Sequence, residues 1–309
     1  MSRRVLVGVA TLSVLLVGAV GMMIGMVYLW RQRVVELPPV AVRAIGRVEG
    51  IASVGEADVV LPVPFHRQEH SLSCEVATLK MALGSFGIDV AEAEIIRYLP
   101  FDSTPRRAGV WGNPDEGFVG DIDGVMLVSG YGVYADPIAR LGLRWKRTEV
   151  LRGASAADIA RHIAAGRPVI VWGYYGRGGL FTWMTPGGES IAAVDGEHTR
   201  VVVGFSGPLQ APTGFSLLDP ITGVLHWSTK KFMHNWETLG CMAVVVYPHP
   251  RWVRAAGEGR VWEISEDGTT RQWVRDWQVF TARGGFPEAI VEVDKEELLR
   301  YKQGSDLIS

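Results

Sequence analysis

Hydrophobic positions along this chain follow three distinct patterns. Val5–Trp30, VLVGVATLSVLLVGAVGMMIGMVYLW, contains no charged residue and is flanked by Arg3-Arg4 and by Arg31 and Arg33. At about 1.5 Å per residue such a helix outruns the ~30 Å hydrocarbon core of a bilayer. Tyr28 and Trp30 stand where an interfacial aromatic belt belongs. The pattern predicts one membrane-spanning anchor over 5–30 after a short tail over 1–4. A cleaved signal peptide is the rival reading, but its apolar stretch is usually about 7–15 residues and ends at small residues. Arg3 and Arg4 compete with Arg31, Arg33, Arg43 and Arg47, so charge does not decide the orientation.

After a linker over 31–58, broken by Pro38-Pro39, the pattern becomes mixed. A β-type run begins at Val59–Pro62. Ser73–Gly87 reads as a helix, with Val76, Leu79, Met81, Leu83 and Phe86 as its apolar face and Gly87 closing it. Ala91–Leu99 predicts a second helix and Ser155–Ala165 a third, with Ser155 and Asp158 as a capping-box variant. Strands are predicted at Val169–Trp172, His198–Phe205, Phe215–Leu218, Leu225–Trp227 and Ala243–Tyr247. Trp111–Gly130 and Tyr174–Asp195 read as long loops rich in glycine and polar residues. Helices followed by mostly antiparallel strands make 59–250 an α+β domain. Beyond Pro250 the pattern changes again: a β-hairpin across 261–274 turning at Glu266-Asp267-Gly268, then a strand and a short helix within Glu288–Tyr301. That predicts a small accessory module over 251–304 and a tail over 305–309.

Composition narrows the function. With 309 residues, 31 Lys+Arg and 33 Asp+Glu, the net charge of -2 gives no basic excess for nucleic acid. A hydrophobic share of 48% and a charged share of 21% argue against global disorder. The two cysteines, Cys74 and Cys241, exclude a disulfide scaffold and a four-cysteine zinc site. Mean hydropathy of +0.14 is high, and Val5–Trp30 contributes much of it.

Within Pro64–Gly87, Cys74 falls at the first turn of the predicted helix. The helix dipole and free backbone N–H groups there favour a thiolate. Gln68, six residues upstream, offers an amide N–H to a developing oxyanion. His198 opens an apolar strand and can serve as the base. Asp219, before Pro220, can hold its tautomer. The plainer alternatives are a buried structural cysteine, a satisfied strand histidine and an ordinary turn aspartate. His66 and His70 flank Gln68 at i,i+4 spacing and read as loop or cleft-rim residues rather than metal ligands. Asp121 and Asp123 lack the rest of a calcium loop. Cys241 lies in LGCMAVVVY and reads as inert core, not as a disulfide partner for Cys74.

These residues carry a family resemblance. Gln68-x5-Cys74 with its apolar helix, WGNPDEGFVGDIDG, GYGVYADPI, GEHTRVVVGF and LLDPITG together resemble the bacteriocin-processing peptidase-like group of the papain-like cysteine peptidases, in its anchored or exported branch. The resemblance implies a papain-like fold, a nucleophile helix packed on an antiparallel sheet. It also implies a Cys74 nucleophile, a His198 base, an orienting Asp219 and a Gln68 oxyanion donor, with no cofactor and no metal. Trp111, Tyr131 and His70 are its candidate substrate-binding residues; core packing is the equal alternative for Trp111 and Tyr131. The leader-processing members typically have Asp-Cys-Gly where this chain has Ser73-Cys74-Glu75, and no phosphate-binding G-x-x-x-x-G-K-[ST] occurs. The expectation is a membrane-anchored cysteine peptidase-like hydrolase at the bacterial cell membrane, single-pass, facing outward, with a peptide or protein substrate. The module over 251–304 is expected to meet a cell-envelope component. A non-catalytic peptide or cell-wall binding module and an acyl transferase are the alternatives.

Overall fold

The computed structural model describes residues 59–307. The expected tail, anchor and linker over 1–58 lie outside the described residues. Among those described, no helix is long and apolar enough to cross a membrane.

The first helix, α1 (Cys74–Gly84), is buried nearly all round, with Val76, Ala77, Leu79, Met81, Ala82 and Leu83 all inaccessible. A helix apolar on every side belongs inside a domain, not on its surface. It ends as expected in a turn that places Gly87 at φ +77°. Next come α2 (Glu92–Tyr98), the short strands β2 (Phe101–Asp102) and β3 (Phe118–Val119), and α3 (Ala135–Gly142). Then follow β4 (Thr148–Leu151), α4 (Ala156–Ala164) and β5 (Val169–Tyr174). The Ser155 capping box forms at the start of α4: its side chain accepts from the Asp158 N–H and the Asp158 carboxylate accepts from the Ser155 N–H.

The long loop expected over Tyr174–Asp195 is instead an antiparallel hairpin, β6 (Leu180–Met184) and β7 (Ser190–Val194). Its glycines lie at the ends and the turn, which hides the alternation of Trp183, Ile191 and Ala193 into the core. The remaining strands of the main sheet are β8 (Glu197–Ser206), β9 (Gly214–Asp219), β10 (Gly223–Ser228) and β11 (Ala243–Val246). They join in the order β10-β9-β8-β5-β11-β4, with β1 (Val59–Val60) added to β8, and every pairing is antiparallel. One further helix, α5 (Thr229–Trp236), follows β10.

This sheet has two covered faces. α1 and α3 pack with Ile170, Trp172, Val201, Val203, Val244 and Val246 on one; α4 and α5 pack with Val169, Val171, Val202, Phe215 and Val245 on the other. The α+β layout of the sequence reading is therefore present.

A second sheet holds β12 (Trp252–Ala255), β13 (Val261–Ile264), β14 (Thr270–Val274), β15 (Ile290–Val293) and β16 (Lys302–Gln303), in the order β15-β12-β13-β14-β16. The short helices α6 (Trp277–Ala282) and α7 (Lys295–Arg300) complete this region. Leu143, just after α3, packs in one cluster with Trp252, Val274 and Phe280.

Candidate active site

Cys74 is the first residue of α1 and is 4% exposed. The Ser73 hydroxyl does not cap the helix, because it donates to Glu92 on α2. The orphan N–H groups of the first turn therefore stay with the cysteine end of the helix. The dipole does not decide the state of the thiol, however. Burial, followed by the charges of Glu75 and Glu197, pushes the Cys74 thiol well above its ordinary value. The thiol donates to Glu75 Oε2 at 3.3 Å. This corrects the expected thiolate: two carboxyl groups and desolvation outweigh one helix terminus.

Those two carboxyl groups form a buried pair. Burial pushes Glu75 up to about 7 and Glu197 well above the carboxylate range, the latter helped by the Glu75 charge. Glu75 Oε1 accepts from the Val133 N–H at 2.7 Å. The residue before it has to be glycine: a Cβ on Gly132 would stand 2.5 Å from Glu75 Oε1 and 2.6 Å from Glu197 Oε2. Like charges this close keep a proton between them.

Strand alternation sorts the rest of the site. Glu197, Thr199, Val201 and Val203 turn toward α1, where Thr78 Oγ1 and Thr199 Oγ1 are 3.1 Å apart. His198 and Arg200 turn the other way, toward Asp219 at the end of β9. His198 Nε2 lies 3.1 Å from Asp219 Oδ2, without the alignment of a directed hydrogen bond. The Arg200 Nε donates to the same oxygen at 2.8 Å. Asp219 Oδ1 accepts from the Ile221 and Thr222 N–H groups, closing the turn at Pro220. Burial opposes ionisation of Asp219, but His198, Arg200 and the Ile221 N–H hold its carboxyl well below the usual range. Burial lowers His198, against the pull of Asp219, so the ring is neutral at pH 7. The structure thus brings His198 and Asp219 together and bonds Cys74 to Glu75; no hydrogen bond joins Cys74 to His198 among the described residues.

Gln68 lies on the loop that delivers Cys74, with its N–H donating to the Pro220 carbonyl at 3.1 Å. Its side-chain amide donates to the His70 and Ser71 carbonyls at 2.8 and 3.0 Å, while Oε1 is buried without a partner. His70 Nδ1 is 2.8 Å from Asp123 Oδ1, and Ser71 Oγ donates to the Gly124 carbonyl. On the opposite side the loop is held by the buried Glu92 carboxylate, which meets His66 Nε2 at 2.8 Å, the Glu69 N–H and the Ser73 hydroxyl. Trp111 and Tyr131 are packed inside the domain, 2% and 0% exposed, against Trp183. Cys74 and Cys241 are both free and buried.

Sequence reasoning missed Glu92, Glu197 and Arg200. The last two had a signal: charged residues inside an otherwise apolar strand, EHTRVVVGF, where burial demands a partner. Glu92 had none, because its partners come from a loop 19 to 26 residues away.

Known proteins give a consistent answer. The sequence profile of the Peptidase_C39 like family matches residues 60–244. The uncharacterized protein YvpB of Bacillus subtilis (strain 168) is 28% identical over 180 residues, spanning 56% of this chain and 68% of that protein. A crystal structure of a protein from Bacillus anthracis described as C39-like is 28% identical, with a TM-score of 0.54, covering 62% of this chain and 98% of that one.

Proposed function

The chain belongs to the Peptidase_C39 like family, and on that premise we propose that it is a cysteine peptidase-like hydrolase cleaving a peptide bond. The observation that carries this reading is the place of Cys74. It opens a buried helix packed on β8, the strand whose His198 lies 3.1 Å from the Asp219 carboxylate.

In this reading the Cys74 sulfur attacks the carbonyl carbon and its proton passes to His198. Nε2 of the ring faces Asp219, so Nδ1 is the nitrogen that takes it. Asp219 stabilises the imidazolium. The oxyanion is met by the first N–H groups of α1 and by the Gln68 amide, for which it competes with the His70 and Ser71 carbonyls. His198 then protonates the leaving amine, and water hydrolyses the thioester. Substrate must release the thiol from Glu75 for this to begin. The apolar segment over 5–30 is the proposed anchor, with the domain facing outward, and residues 251–304 are proposed to meet an envelope component.

A second reading, binding a peptide without cutting it, is favoured by one observation: the resting thiol is neutral and faces carboxyl groups rather than the histidine. Incubating the purified chain with a mixed peptide library and sequencing the products separates the two. Cleavage lost in Cys74→Ala supports the hydrolase; retention of peptides without any Cys74-dependent product supports the binder.

A further inference from the structure

We propose that Cys74, Glu75 and Glu197 form a binding site for a thiophilic divalent cation of the zinc class. One donor atom from each lies within 4.8 Å of the others, and all three residues are buried. The pairing of one sulfur with two carboxylate oxygens suits zinc, which takes three protein ligands and an open fourth position in non-structural sites. Cys74 Sγ and Glu75 Oε2 are 3.3 Å apart. This is close to the ~3.6 Å edge of a tetrahedron with Zn–S near 2.3 Å and Zn–O near 2.1 Å. Glu197, 4% exposed, adds a second observation: its Oε1 is buried with no hydrogen-bond partner among the described residues. A buried acceptor left unused costs free energy that a cation would recover. The other cluster of this kind, His66, Glu69 and Glu92, differs on this point, because the Glu92 oxygens are already met by Ser73, His66 and the Glu69 N–H.

Protons balance. Without metal, protons occupy the thiol and the carboxyl pair. Zinc enters as the thiolate and both carboxylates form, and the protons they held leave to solvent. The three donors that lie within 4.8 Å of one another are Cys74, Glu75 and Glu197, and His198 is not among them. Occupancy would close the nucleophile of the proposed hydrolase reversibly; metal binding itself does not depend on that activity.

The test uses the full chain, stripped with chelator and titrated with zinc chloride against a chromophoric chelator. We expect one zinc per chain. Affinity should rise with pH, because metal and protons compete for the same ligands. Glu197→Gln should weaken binding tenfold or more and His198→Ala less than twofold. Cobalt in place of zinc should give a sulfur-to-metal charge-transfer band in the wild type that Cys74→Ser loses, a readout that does not rely on how Glu197→Gln folds. Absence of stoichiometric binding overturns the site. So does binding lost in His198→Ala, which would place the metal on a cysteine–histidine pair.

Discussion

Burial, and after it the charges of Glu75 and Glu197, sets the resting state of Cys74. Glu197→Gln removes one of the charges that raise the thiol. The expected outcome is faster alkylation of Cys74 by iodoacetamide at pH 7–8, with the pH midpoint of the reaction moved down. The same pair links stability to pH. Glu75 holds its proton to about 7 in the fold against 4.5 for the ordinary group. Its contribution is therefore full below about pH 4.5 and fades as pH rises through 7. His162, His198 and His249 are all lowered, chiefly by burial. They act in the opposite sense, because stability from a depressed histidine is lost as pH falls below its ordinary value of 6.5. The carboxyl share is read from the difference between wild-type and Glu197→Gln melting curves across pH 4.5–8. The wild type should lose stability relative to the variant as pH rises; parallel curves would contradict the shared proton. The placement of single residues was legible at Cys74, which opens a helix, and at His198, near the start of a strand. The burial of Glu75 and Glu92 was not, because nothing in their sequence neighbourhood marks them as covered, whereas Glu197 sits in the apolar run EHTRVVVGF.

Among the elements, the Cys74 loop is the one most dependent on a distant side chain. Glu92, at the start of α2, holds His66, the Glu69 N–H and the Ser73 hydroxyl. Glu92→Ala leaves these groups unpaired and should cost about 1–3 kcal/mol. Amide hydrogen exchange should rise across residues 66–73 while β5 and β8 stay protected; uniform exchange would show that the carboxylate does not brace this loop. Element prediction succeeded where periodicity was strong, as for α4 with its capping box and for β8 and β9. It failed for β6 and β7 because flanking glycines masked the alternation, and their partner surface, Trp111 and Tyr131, lies far away in sequence.

At the scale of the molecule, the Cys74 helix packs on the antiparallel sheet, and the pairing of β8 with β9 brings His198 Nε2 to 3.1 Å from Asp219 Oδ2. The fold class was readable from the order of elements, but the strand order was not, since β11 enters between β5 and β4. The second sheet shares a core with the first region through Leu143 and Trp252. Trp252→Ala should cost about 3–5 kcal/mol, as large buried aromatics do. It should lower the melting temperature; an unchanged melting temperature would show that this shared core carries little of the stability. The account as a whole rests on Cys74 acting as a nucleophile with His198 as its base. The most direct measurement is the rate at which a peptidyl electrophile labels each cysteine of the full chain, located by mass spectrometry, in the wild type and in His198→Ala. The account predicts label on Cys74 and not on Cys241, slowed at least about tenfold when His198 is lost. Labelling of Cys74 no faster than Cys241, or a rate indifferent to His198, would contradict it.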